Sequence, residues 1–169
     1  MQLRPIELQD WPEIMAIQDI CYHAIDPEPL AVMQSKWQVA PSTCLVLCDD
    51  EQVIGYCLAH PWRQHQPPAL NQALKQPMND ADTLYLHDMA LAPAARGKSG
   101  AQRMLTHLKQ AALELNLTSL SLIAVQGAHS YWQAAGFIKT HTDKCLSSYC
   151  DDPHYMTMDL CTQLCIHPN

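Results

Sequence analysis

The chain has 169 residues and carries 17 acidic against 10 basic side chains, for a net charge of −7. That length suits one folded unit, residues 1–169, with a single core, and the acidic balance argues against general nucleic-acid binding, which rests on many Lys and Arg contacts to phosphate. Apolar runs fall far short of the ~20 residues that cross a bilayer. Met1-Gln2-Leu3-Arg4-Pro5 has no signal-like apolar segment, so a cytoplasmic protein without a membrane partner is expected.

Residues 3–8 read as a first strand. Asp10 and Glu13 bracket Trp11-Pro12 at capping-box spacing, and Ile14, Ile17 and Cys21 recur at helical intervals, which predicts a helix over 11–23. A second helix follows Pro29, with Leu30, Met33 and Trp37 on one face, and ends by Pro41. Thr43 to Cys48 and Gln52 to His60 make a hairpin through Asp49-Asp50-Glu51. Residues 61–82, rich in Pro, Gln, Asn and Asp, read as a long loop with one helical turn at Ala69 to Lys75.

Beyond that loop come a strand over Thr83 to Leu91 and a helix from Ser99 to about Asn116, whose apolar face holds Ala101, Met104, Leu105, Leu108, Ala112 and Leu115. A strand at Ser119 to Val125, a short helix at His129 to Ala135, a strand from Phe137 and a last strand over His154 to Leu160 complete the order β-α-α-β-β-β-α-β-α-β-β.

The turn Arg96-Gly97-Lys98-Ser99-Gly100-Ala101 joins an apolar strand to an amphipathic helix. Helix-start N–H groups lack intrahelical partners and sit at the positive end of the helix dipole, so they favour a phosphate, and small residues let it approach the main chain. Four of the ten basic residues, Arg96, Lys98, Arg103 and Lys109, lie in the fourteen positions that begin here, a concentration suited to a small polyanion. Ala92 to Ser99 also fits a relaxed Walker A pattern, with Leu45 to Glu51 as a Walker B strand. Against that stand Ala92 in place of the first glycine, the rigid Pro93, and an acidic strand placed before the loop.

The spacing Arg-x-x-[Gly/Ala]-x-[Gly/Ala], with Arg96 first and Ala101 last, resembles the acetyl-coenzyme A pyrophosphate loop of the GCN5-related N-acetyltransferase (GNAT) superfamily. Ser99 stands where that family usually has glycine. Tyr131-Trp132-Gln133-Ala134-Ala135-Gly136-Phe137 looks like the family's aromatic-x-x-x-Gly-Phe helix ending. The resemblance covers essentially the whole chain. It implies an α/β (α+β) fold: a GNAT domain with a mixed, mostly antiparallel sheet of about seven strands, splayed in the middle and flanked by about four helices.

The resemblance implies acetyl transfer from acetyl-coenzyme A directly to an amine of a small molecule or peptide. The cofactor would lie against Met89, Ala90 and Leu91 and the loop Arg96, Gly97, Lys98, Ser99, Gly100 and Ala101, with Gln126 or Ser130 as further contacts. No metal is expected, and a homodimer is one option. A base must deprotonate the amine. His87 resembles, by position, a histidine of arylalkylamine N-acetyltransferases that have a second histidine where Tyr85 stands; Asp88 is the alternative. Strand alternation without a bulge puts Tyr85, His87 and Met89 on one face and Leu86 and Asp88 on the other.

Many family members protonate the leaving thiolate with a tyrosine, whose position here holds Trp132. Tyr131 would then serve, or Tyr149 or Tyr155, or the thiolate leaves unassisted. Asp26, Glu28, Asp143, Asp151 and Asp152 fall in the segments that border the acceptor site of this fold and could attract a cationic amine. A GNAT-like domain that holds an acyl-coenzyme A without turnover is a second reading, and a P-loop nucleotide-binding protein a third. Cys44, Cys48 and Cys57 sit in apolar strands and read as small hydrophobes; Cys145, Cys150, His154, Cys161, Cys165 and His167 supply ligand types at spacings that suit zinc poorly.

Overall fold

In chain order the strands are β1 (Gln2–Pro5), β2 (Leu45–Asp49), β3 (Gln52–Trp62), β4 (Thr83–Leu91), β5 (Ser119–Ala124), β6 (Ile138–Lys139) and β7 (His154–Asp159). The helices are α1 (Trp11–Cys21), α2 (Leu30–Val39), α3 (Gly100–Glu114) and α4 (His129–Ala134). The computed structural model describes residues 1–149 and 152–161, so Cys150, Asp151, Cys165 and His167 lie outside the described residues.

The strands form one sheet in the order β1-β2-β3-β4-β5-β7-β6, in which only β4 and β5 run parallel. Alternation along the strands sends Leu45, Leu47, Cys57, Leu84 and Leu86 to one face, where α3 covers them with Met104, Leu105, Leu108 and Ala112. Val46, Cys48, Tyr56 and Leu58 go to the other face, under Trp11, Ile14 and Ile17 of α1 and Met33 of α2. Cys44, Cys48 and Cys57 are free and buried, in keeping with an apolar role.

Three expectations need correction. The first strand is shorter than predicted, and the capping box lies upstream of α1: Asp10 turns back to accept from Glu7 N–H at 2.7 Å and does not cap the helix through its side chain. Arg4 captures the same carboxylate with two hydrogen bonds of 2.7 Å, an interaction closer to ideal than a single cap bond. No helical turn forms at 69–75. Polar anchors outcompete local helix formation there: Glu28 Oε1 accepts from Asn71 N–H at 2.8 Å, Ser35 Oγ from Leu74 N–H at 2.9 Å, and Gln72 O from Lys36 Nζ at 3.2 Å.

The third correction concerns β4. Leu58 pairs with Asp88 but Ala59 pairs with Leu86, so His87 is an extra residue, a β-bulge. A bulge resets the alternation, and His87 and Asp88 therefore point to the same side, toward α1 and α2, while Met89 and Leu91 pack with Leu86 on the α3 side.

The Arg4–Asp10 pair ties β1 to α1, with the Asp10 side chain only 3% exposed. Asp10→Ala should lower unfolding stability by about 1–3 kcal/mol, because Arg4 and the Glu7 N–H lose their acceptor. The urea midpoint checks this: a fall without a change in slope is expected, and an unchanged midpoint would show the pair to be dispensable.

Candidate functional site

Pairing between β4 and β5 stops at Leu86 opposite Leu122, yet β4 runs on to Leu91 and β5 to Ala124. The bulge at His87 bends β4 away at this point, and a cleft of about 610 Å³ opens between the strand ends. One end of the cleft is lined by Arg96, Gly97, Ser99, Gly100, Ala101 and Gln102. Exposed Lys98 belongs to the same turn but does not line the cleft.

The turn delivers α3 with its first N–H groups toward this cleft. Ser99 adopts φ 59°, ψ 16° at the N-cap, its side chain does not cap the helix, and the positive φ explains why glycine suits this position better. Gly97 has φ 75°, and a Cβ built there meets nothing within 4 Å, so its surroundings are open. Gly100 is different: a Cβ there would come within 2.6 Å of Leu47 Cδ2, so glycine lets the helix start settle onto β2. Unpaired amides, a positive helix end and Arg96 together suit a polyanion.

The opposite half of the cleft is polar and buried. Asp88 accepts hydrogen bonds from the hydroxyls of Tyr22 and Tyr56, the second at 2.6 Å. Enclosure pushes its carboxyl above the usual carboxylate range, against the pull of the two phenols. His87 Nε2 lies 2.6 Å from Glu28 Oε2, and Lys36 Nζ lies 3.5 Å from the same oxygen. Glu28 is 8% exposed, not a solvated loop carboxylate; burial opposes its charge, but His87, Lys36 and the Asn71 N–H outweigh that and hold its pKa down at about 2. Asp26, Asp143 and Asp152 are exposed.

These surroundings contain partners that sequence reasoning had not singled out. Tyr22, Tyr56 and Lys36 had no assigned role, although Lys36 falls three residues after Met33 on the buried face of α2, a place where a lysine demands a partner. Gln126, at φ 51°, spends its amide across the top of the cleft: Oε1 accepts from His23 and Ala24 N–H at 3.0 and 3.1 Å, and Nε2 donates to Cys21 O at 3.2 Å. Ser130 is exposed on α4 and does not line the cleft.

Tyr131 lines it and stays 46% exposed, with its ring 5.1 Å from that of Trp132. Trp132 also lines the cleft and packs edge-on against Phe137 at 5.4 Å. Tyr149 lines it too, its hydroxyl donating to Pro68 O at 2.9 Å, and burial pushes its pKa up to about 12. Tyr155 accepts from His65 N–H at 2.9 Å and lies outside the cleft lining. Among the described residues no cluster of His, Cys, Asp and Glu is arranged to hold a metal ion.

Residues 11–137 match the Acetyltransferase (GNAT) family. The chain belongs to that family. The P-loop reading is thereby set aside: Leu45 to Glu51 is the strand β2 with its hairpin turn, antiparallel to both of its neighbours, β1 and β3. No curated protein matches in sequence. Similar solved structures include the GphF GNAT-like decarboxylase in complex with isobutyryl-CoA, at 13% identity and TM-score 0.79 over 95% of this chain and 100% of that one. The ribosomal-protein-S18-alanine N-acetyltransferase from Escherichia coli is similar at 13% identity and TM-score 0.65, over 94% of this chain and 93% of that one. Naa20 from Chaetomium thermophilum in complex with a bisubstrate analogue reaches 14% identity and TM-score 0.70 over 99% and 90% of the two chains. At such identities the likeness establishes the shared GNAT fold.

Next to the cleft of this GNAT chain, His60 on β3 is 1% exposed, with its ring 6.1 Å from that of His87. Burial, with a smaller contribution from His87, pushes the His60 pKa down to about 3, so folding keeps it neutral where the unfolded chain takes a proton below about pH 6.5. A group whose pKa is depressed on folding loses stability as the pH falls, here by up to about 1.4 kcal/mol per pH unit below 6.5. Urea midpoints at pH 6.5 and 5 check this, above the window from about pH 4.5 to about 2 in which the stabilising contribution of the Glu28 carboxylate is lost. His60→Phe should flatten the slope over that interval, and an unchanged slope would assign the pH dependence elsewhere.

Proposed function

We propose that this chain is an N-acetyltransferase that moves the acetyl group of acetyl-coenzyme A directly to the amine of a small molecule or peptide in the cytoplasm. The observation that carries the reading is the parting of β4 from β5 beside an uncapped helix start, which provides a slot for an extended thioester arm next to a cradle for its diphosphate. Membership in the GNAT family supports it, as do the isobutyryl-CoA bound in one similar structure, a GNAT-like decarboxylase, and the N-acetyltransferase activity named for another.

In this reading the amides of residues 97–102 hold the pyrophosphate, with Arg96 and Lys98 adding charge. The strand segment Met89, Ala90 and Leu91 pairs with the pantetheine arm along its free edge, and one of its N–H groups polarises the thioester carbonyl as negative charge develops there. When bound, acetyl-coenzyme A supplies the activated acyl group. His87 removes a proton from the incoming ammonium, the free amine forms the new N–C bond, and the C–S bond breaks to release coenzyme A thiolate. Asp88 has both oxygens occupied by phenols, which favours His87 over it as the base. Tyr131, at the cleft wall, is placed to return a proton to the thiolate.

Trp132 in place of the family's usual tyrosine favours a second reading, a domain that binds acyl-coenzyme A without turnover. A thiol-release assay over a panel of amines separates the two: release that depends on the amine supports the enzyme, and tight binding without release supports the module.

Two outcomes follow for variants. Arg96→Ala combined with Lys98→Ala should weaken acetyl-coenzyme A binding by about 1 kcal/mol or more, measured by titration calorimetry, as the charge-assisted contact of Arg96 and the nearby charge of Lys98 are lost; unchanged affinity would remove the loop from the site. His87→Ala should cut the rate most near neutral pH and less at high pH, where the amine arrives already deprotonated. A pH–rate profile of unaltered shape would exclude His87 as base.

A further inference from the structure

Around His87 the chain assembles a buried polar group whose geometry the acetyl-transfer reading does not by itself require. Glu28 sits in Pro27-Glu28-Pro29, and its backbone is clamped from both sides by one buried side chain: Gln18 Nε2 donates to Glu28 O and Gln18 Oε1 accepts from Glu28 N–H, each at 3.1 Å. Its carboxylate is as firmly held. Oε1 accepts from Asn71 N–H at 2.8 Å, and Oε2 faces Lys36 Nζ at 3.5 Å and His87 Nε2 at 2.6 Å.

We infer that Glu28 is the positioning residue of the His87 base: it takes the Nε2–H of His87 as a hydrogen bond, fixes the neutral ring in that one tautomer, and leaves Nδ1 to receive the substrate's proton. The inference rests on the proposed acetyl-transfer reading for the role of His87, and on geometry for the tautomer.

The tautomer follows from donor and acceptor counting. An ionised carboxylate only accepts. Lys36 Nζ donates to Val32 O at 3.4 Å and Gln72 O at 3.2 Å and pairs with Glu28 Oε2 at 3.5 Å; burial lowers its pKa, and the adjacent Glu28 carboxylate works against that to keep the ammonium. That cation balances the charge of Glu28, so the ring need not be an imidazolium to satisfy it. At 2.6 Å from a carboxylate oxygen, Nε2 must carry the hydrogen. Nδ1 is buried without a protein partner, where a stranded N–H donor would be costly and a lone pair is the cheaper occupant.

Nδ1 is buried in the free protein, so the ring edge must be uncovered as substrate enters; the proton of the substrate ammonium then passes to Nδ1 through one water, and the ring becomes an imidazolium with Glu28 against its other N–H. The amine nitrogen keeps the electron pair that forms the amide. Glu28 thus acts on the reaction only through His87, much as the carboxylate of a serine-protease triad acts through its histidine. Other titratable and charged groups around the ring are Lys36 from α2, His60 from β3, and Tyr85 and Asp88 from β4.

The test is heteronuclear NMR of ¹⁵N-histidine-labelled protein at pH 8 without cofactor, with the His87 signals assigned through His87→Gln, followed by kinetics. In the unmodified protein the ring should give a single neutral tautomer with the proton on Nε2; an Nδ1–H tautomer, or a doubly protonated ring at pH 8, overturns the inference whatever the enzyme does. Glu28→Gln should lower kcat by about tenfold or more and leave the acetyl-coenzyme A KM within about twofold. The acidic limb of its kcat/KM profile should move down by about one pH unit, since the imidazolium loses its anion. Glu28→Asp should recover part of the rate. If the single variant folds poorly because Lys36 is left unpaired, Glu28→Gln with Lys36→Met removes both charges and must still lower kcat by about tenfold at an unchanged acetyl-coenzyme A KM; its limb shift is smaller, because the ammonium's opposing effect on the imidazolium is lost as well. An unshifted acidic limb in folded Glu28→Gln, or an unreduced kcat in the double variant, overturns the positioning role. Absence of thiol release with every amine defeats the acetyl-transfer reading and the base role with it, while the tautomer spectrum still reports on Glu28 alone.

Discussion

One extra residue in β4 governs the functional half of this molecule. Because His87 has no partner on β3, the strand bends after Leu86, loses its hydrogen bonds to β5 beyond Leu122, and leaves a stretch of free strand edge. A fully zipped parallel pair would have filled the same space with backbone bonds and left no room for an extended ligand. The same bulge resets the side-chain alternation, so that two chemically capable residues, His87 and Asp88, share the face under α1 and α2. The slot and the polar cluster are thus two products of one irregularity.

The walls of the cleft are built by different means at its two ends. At the α3 end, main-chain amides stay open beside small residues, and Arg96 is held only by a long contact to Cys21 Sγ at 4.0 Å, so a ligand need displace little to use them. At the α1–α2 end the polar groups are already satisfied by one another: Asp88 by two phenols, Glu28 by Lys36, His87 and Asn71, and the backbone of Glu28 by Gln18. Such closed networks hold side chains still in a low-dielectric setting, and they carry the 63–82 segment with them through Asn71, Gln72 and Leu74. An open cradle beside a rigid polar wall suits the proposed division of labour, a cofactor held at one end and a reacting group oriented at the other.

Much of this was legible in the residues. The period of α3, the apolar strands and the glycine-rich helix start all signal themselves locally, because a helix face, a strand face and a turn are each set within a few neighbouring positions. Gln126 was picked out as a cofactor contact and Glu28 as a carboxylate that could attract a cationic amine; the Gln126 amide bonds His23, Ala24 and Cys21 at the exposed rim of the cleft, and the Glu28 carboxylate is buried against His87, Lys36 and Asn71. Lys36 was passed over although its spacing from Met33 placed it on the buried face of α2. The helical turn read at 69–75 does not form because its backbone groups are claimed by side chains from α2 and from Glu28, a competition that no local propensity reveals.

The order of elements, the two apolar faces of the sheet and the small-residue turn at 96–101 that opens α3 were determined by the sequence on its own, since each depends on side-chain period and on backbone groups close along the chain. Only the tertiary structure decided which way His87 points, that both oxygens of Asp88 are taken, and that Glu28 is buried. Those depend on strand register and on partners 59 residues away in the case of His87 and Glu28, and 66 in that of Tyr22 and Asp88. Hydrogen-bond satisfaction in a buried site is a property of the assembled surroundings, and a single-residue shift in register is enough to reassign it.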